Sequence, residues 1–241
     1  MFNRITSLIL SVLLLALLGS QTAYFVSQPN YFLLAGAIVG LITIASFFNY
    51  KRLGFSWPHL LLPAIYLLGI SMVFMIITNP RWQVIFLFFA ALVLYILEMR
   101  LGRESHFLQN IFLLSVFAWY MGLFAAHFYF NLPGWILAIL VFGATYLFAV
   151  QGFAGFTQPV KKYFYIVLAL VCTEAAWGLS LWPTYFPVNA VVLFCIFYLL
   201  WLFSFSAFFG KLSPAKIYLQ VALIIIVLVI TLSTSAWQTI R

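Results

Sequence analysis

Charge is what this sequence has least of. Of 241 residues only 6% are charged, and three are acidic: Glu98, Glu104 and Glu174. A soluble globular domain carries about 25% charged and 45–50% apolar residues, whereas 67% of this chain is hydrophobic. Such a chain cannot furnish a polar surface for water, and lipid is the solvent that suits it. Cysteine is scarce as well. Cys172 and Cys195 lie inside apolar runs, without metal-ligand or Cys-x-x-Cys spacing. They read as buried free thiols rather than a disulfide framework.

Motifs that would specify a reaction are missing. There is no P-loop, no nucleophile elbow, no His-Glu-x-x-His and no acidic pair to hold Mg²⁺ on a diphosphate. The sequence therefore implies no catalytic residue, no metal and no cofactor, and argues against most enzymes of nucleotide-activated or prenyl lipids. The net charge of +8 would suit nucleic acid in a soluble protein. Here the basic residues fall between apolar runs, and no soluble stretch is long enough for such a domain.

Long apolar runs are what the chain does have. A helix needs ~20 mainly apolar residues to cross a ~30 Å hydrocarbon core. The runs do not alternate polar with apolar residues, as strands of a membrane barrel would. Cuts at charges and at Pro, Asn and Gly clusters predict nine helices, near residues 5–26, 31–50, 59–78, 82–99, 107–130, 135–156, 163–182, 187–209 and 216–237. The fold class is all-α: a polytopic transmembrane helix bundle, with residues 1–241 forming one integral membrane domain and no soluble domain. Arg4 followed by the apolar run from Ile5 to Leu18 resembles a signal peptide. The flanks of Ala23 and Ser20 make poor cleavage sites and the run continues to Val26, so an uncleaved first helix is expected.

Charge sets the orientation. With the N-terminus in the cytoplasm, Arg4, Lys51, Arg52, Arg100, Arg103, Lys161, Lys162, Lys211 and Lys216 all fall inside. Only Arg81 and Arg241 fall outside. This nine-to-two ratio obeys the positive-inside rule and leaves the C-terminus outside. Trp57, Trp82, Trp135, Trp182 and Trp237 sit at predicted helix ends, where indole favours the interface. Trp119, Trp177 and Trp201 lie deeper and read as packing residues.

Glu174 is the most informative single residue. It lies eight positions from Trp182, roughly 12 Å from the outer end of its helix. A charge at mid-membrane costs about 2.5–3.5 kcal/mol on insertion scales, so the carboxyl is expected to face protein or water, as a proton relay, a substrate anchor or a structural hydrogen-bonding group. His127, Asn131, Asn189, Tyr185 and Trp177 fall on the same outer side and are candidates to line a pocket with Glu174 at its floor. At the cytoplasmic ends, Lys51, Arg52, Arg100 and Arg103 are candidate contacts for lipid headgroups. Glu98, Glu104 and His106 read there as solvated neighbours of those arginines. Gly36-x-x-x-Gly40 permits close helix approach.

The stretch Glu174-Ala-Ala-Trp177-Gly-Leu179-Ser-Leu-Trp-Pro183, then Pro187-Val-Asn189-Ala and Tyr198, resembles a segment of uncharacterised multi-pass membrane proteins of small-genome, candidate-phylum bacteria. The resemblance covers two helices of nine. It implies a bacterial cytoplasmic (inner) membrane and no known activity, with Glu174, Trp177, Pro183 and Asn189 the residues to watch. Three classes of function fit. A transporter or lipid-handling protein would use an outward pocket at Glu174. A non-catalytic subunit or assembly factor would need only short loops and few polar groups. A membrane enzyme acting on lipid would need more convergent polar residues than the sequence offers. The expected partners are membrane lipids and other membrane proteins, not nucleic acid.

Overall fold

A computed structural model describes residues 2–24, 31–53, 57–101, 106–154, 160–209 and 214–235. Among them the chain forms nine α-helices and no strands. In order they are α1 (Phe2–Tyr24), α2 (Tyr31–Leu53), α3 (Trp57–Ile76), α4 (Pro80–Arg100), α5 (His106–Tyr129), α6 (Gly134–Gly152), α7 (Lys161–Ser180), α8 (Phe186–Phe209) and α9 (Pro214–Thr234). Seven of them, α3 to α9, are long and apolar enough to cross a membrane. The described side chains of α1 and α2 cover only shorter apolar stretches, Ile5–Ser20 and Gly36–Lys51, of helices that each run for 23 residues. The expectation of a polytopic all-α membrane protein is met.

Helix ends fall where local chemistry places them. Proline lacks an N–H and its ring presets a helical φ, so it is tolerated in a first turn, where the N–H has no partner in any case. Accordingly α4 begins at Pro80, two residues before the predicted start, and Asn79 caps it by accepting from the Arg81 N–H at 2.9 Å. Pro214 opens α9 in the same way. At the other end of α5, Asn131 adopts φ 49°, a left-handed conformation that Asn tolerates better than most residues. The chain turns there and α6 follows from Gly134.

The chain divides into two compact units, residues 1–118 and 119–241, and the boundary falls within α5. In the first unit α1 packs on α2 and α4, and α3 packs on the same two helices. These four therefore make a closed ring with α2 and α4 on a diagonal. Tyr66 of α3 is fully buried and donates to the Ala90 carbonyl of α4 at 2.7 Å. In the second unit α6 packs on α7, α7 on α8 and α8 on α9. Tyr120 of α5 is buried against Phe148 of α6 and Phe197 of α8, with ring centroids 5.9 and 6.1 Å away in edge-on geometry. Its hydroxyl shares a 2.8 Å hydrogen bond with Thr145. Trp119 packs edge-on against Phe148 in the same cluster.

Two packing expectations change. Trp119 and Trp201 pack as anticipated, but Trp177 is 49% exposed. A Cβ added at Gly36 or Gly40 would meet nothing within 4 Å, so this small-residue pair is not where α2 meets a neighbour among the described residues. Helix α9 exposes Leu219, Leu223, Ile226 and Val229 and turns Ile224 inward.

The charge ratio makes a direct prediction about orientation. A reporter active only outside the cytoplasm, fused after Arg241, should be active, and the same reporter after Lys216 should be silent. The opposite pattern would mean that the orientation, or the parity of crossings, is wrong.

Candidate functional site

In the second unit α7 buries Tyr165, Leu168, Ala169, Cys172, Ala176 and Leu179, residues that share one face at helical spacing. Glu174 stands two positions from Cys172 and two from Ala176. At about 100° per residue this places it on the opposite side of the helix. It is exposed there, along with Val167, Leu170, Val171 and Trp177. Its carboxyl makes no hydrogen bond or ion pair to another described residue. Gly178, one turn further along the same exposed face, has open space where a Cβ would stand. The sequence predicts a carboxyl facing protein or water. The structure gives α7 an apolar outer stripe with one carboxyl in it, six residues or about 9 Å from the helix end at Ser180.

The other expected pocket residues are placed at the outer end of the unit, and each has a local task. His127 donates from Nδ1 to the Leu132 carbonyl, which holds the turn that follows α5. Asn131 does not extend the His127 face, because α5 ends at Tyr129 and Asn131 lies in the turn. Asn189 is buried. It accepts from the Thr184 hydroxyl at 2.6 Å and donates to the Leu179 carbonyl at 3.1 Å. That carbonyl is in the last turn of α7, where the helix cannot satisfy its own acceptors, so Asn189 fastens the α7–α8 connection. Tyr185 shares a 3.0 Å hydrogen bond with Tyr129, and its ring packs edge-on against Phe128. The structure thus brings Tyr185 to the end of α5, spends Asn189 on a helix terminus, and gathers none of these groups around Glu174.

In the first unit the structure exposes something the sequence reading missed. Glu98, expected to be solvated beside Arg100, is 1% exposed. It accepts from the Asn49 amide at 3.1 Å across the α2–α4 diagonal, and Asn49 is itself 1% exposed. Thr6 and Ser7, near the start of α1, are buried as well. The antiparallel path of the ring puts them at this same end. The signal was available: Asn49 and Glu98 stand at like depth, just inside the C-terminal ends of alternate helices.

The basic residues at that end behave as interface cations. Lys51 lies 4.6 Å over the Phe47 ring and Arg100 lies 5.1 Å over Phe107, contacts that leave both heads exposed. Arg103 and the Arg52 side chain lie outside the described residues. No group of three metal-ligating side chains occurs among the described residues.

These features define a class: a multi-pass helical membrane protein with buried polar ties between its helices and, at Glu174, a carboxyl on an exposed helix face. No family model, curated protein or solved structure matches the chain.

Proposed function

We propose that the protein is a non-catalytic subunit or assembly factor of a complex in a bacterial cytoplasmic membrane, and that the exposed face of α7 receives a transmembrane helix of a partner protein. The supporting observation is Glu174: a carboxyl without a partner among the described residues, on an apolar outer face. Leaving it to lipid carries the insertion cost of about 2.5–3.5 kcal/mol. A neighbouring helix with a hydrogen-bond donor at the same depth, such as Lys, Arg, His, Asn or Gln, removes that cost by charge complementarity. Gly178 beside it lets the partner backbone come close, the combination of small and polar residues by which membrane helices associate. A transporter pocket would need polar groups convergent on Glu174, and the exposed position of this residue gives that reading no support.

The test uses a poly-leucine transmembrane peptide with one central lysine, co-reconstituted with the full chain and followed by energy transfer. It should associate about 3–30-fold more tightly than the same peptide without lysine, the range expected for interhelical polar pairs worth ~0.6–2 kcal/mol. Glu174→Leu should abolish the difference while leaving the melting temperature in detergent unchanged, because the side chain is exposed. Glu174→Gln should retain part of it. A Leu variant that binds both peptides as wild type does, and also complements a deletion strain, would remove Glu174 as a docking group. A lysine-independent crosslink from α7 to residues 1–118 would show that the chain covers this face itself.

A further inference from the structure

At the α3–α4 turn of the first unit lies an open groove of about 560 Å³, within the ~300–1,000 Å³ range of small-molecule sites. Its walls are apolar: Ile76 and Ile77 from the end of α3, and Trp82, Ile85, Phe86 and Phe89 from α4. The four α4 residues recur at the 3–4-residue spacing of one helix face, so the groove runs lengthwise for about 10 Å, starting from the first turn of α4. Its polar lining, Thr78 and Asn79, is confined to the turn. Asn79 accepts there from the Arg81 N–H, and nearby Gln83 donates to the Ile77 carbonyl at 2.6 Å. Along α4 the wall is wholly apolar and suits a hydrocarbon chain.

Arg81 lies in the first turn of α4, next to Trp82. It is exposed, and its guanidinium makes no hydrogen bond or ion pair to another described residue. Exposed Trp82 marks this level as the membrane–water interface. A cation in the first turn of α4, with an open apolar groove running along the helix from that turn, has the polarity and direction of a single lipid molecule. We propose that this groove is a binding site for an anionic phospholipid of the surrounding leaflet, with one acyl chain along Ile85, Phe86 and Phe89 and the phosphate at Arg81. The site is independent of the α7 face and of the α2–α4 polar tie.

The experiment uses the full chain in nanodiscs and phosphatidylglycerol with a photoreactive diazirine in its acyl chain, labelled peptides being mapped by mass spectrometry. Labelling of residues 76–89 should exceed that by the phosphatidylcholine analogue by about fivefold, the worth of one basic residue near an anionic surface. Arg81→Ala should reduce phosphatidylglycerol labelling of this segment to the phosphatidylcholine level. Ile85→Trp, which fills the groove from an exposed position, should reduce labelling by both lipids. Inorganic phosphate at matched concentration should not compete, because it cannot use the groove. Equal labelling by the two lipids, an unchanged preference in Arg81→Ala, undiminished labelling in Ile85→Trp, or full competition by phosphate alone would each overturn the proposal.

Discussion

Replacing Tyr120 by alanine is expected to destabilise the second unit by about 2–4 kcal/mol. Tyr120 is fully buried and touches both Phe148 and Phe197, so truncation opens a cavity between α5, α6 and α8. In soluble proteins such aromatic-to-alanine changes cost about 3–5 kcal/mol, part of which is the lost transfer of the ring out of water. Inside a bilayer that part largely vanishes, because the separated helices would expose the ring to lipid rather than water. The loss of packed neighbours remains, which sets the lower estimate. Tyr120→Phe keeps the ring and removes the hydroxyl, with its 2.8 Å bond to Thr145 and its contact with the Cys172 thiol. Its cost should stay near 1 kcal/mol. Unfolding of the full chain in mixed detergent and SDS would measure both. An alanine variant within ~0.5 kcal/mol of wild type would show that this aromatic cluster does not hold the unit together.

The second large effect is expected at Glu98 and Asn49. Each is almost wholly enclosed, and each supplies half of the tie between α2 and α4. Glu98→Ala leaves a buried amide donor without its acceptor, which costs about 1–3 kcal/mol. Asn49→Ala removes the amide donor that the Glu98 carboxyl accepts from. An effect of about 2–3 kcal/mol for each is expected, with a coupling of ~1–2 kcal/mol in the double-mutant cycle. Glu98→Gln retains an acceptor oxygen at the same place and should lose no more than about 1 kcal/mol. If Gln were as harmful as Ala, the negative charge rather than the hydrogen bond would be what the first unit requires. A coupling of zero would separate the two residues altogether.

Helix number and helix limits were legible because both follow from one-dimensional features: apolar length against bilayer thickness, and proline, asparagine and charge at the ends. Pro80 and Asn131 show how little three-dimensional information that takes. Helix facing was not legible. In water a helix announces its inner side by an apolar stripe against a polar one, but these helices are apolar on nearly every side, since lipid accepts what the core accepts. Glu174 and Glu98 make the point together. Depth suggested that Glu174 faces protein or water and that Glu98, beside two arginines, is solvated. The structure encloses Glu98 instead, opposite Asn49, and exposes Glu174 with no described residue bonded to it; which helix stands opposite decides each outcome. For Asn189 and His127, sequence could not show that a helix terminus and a turn would occupy them first.

The Asn49–Glu98 bond joins residues 49 positions apart in the chain, and the interval has a meaning in time. A ribosome adding about 5–20 residues per second needs roughly 2–10 s to make the acceptor after the donor. Through that interval α2 is already emerging into the membrane with an amide whose eventual partner has not been synthesised. The first unit therefore cannot finish assembling helix by helix in order of translation. It must hold α2 and α3 in a provisional arrangement until α4 arrives, and a nascent chain interrupted before Glu98 lacks the acceptor that the Asn49 amide meets in the finished protein.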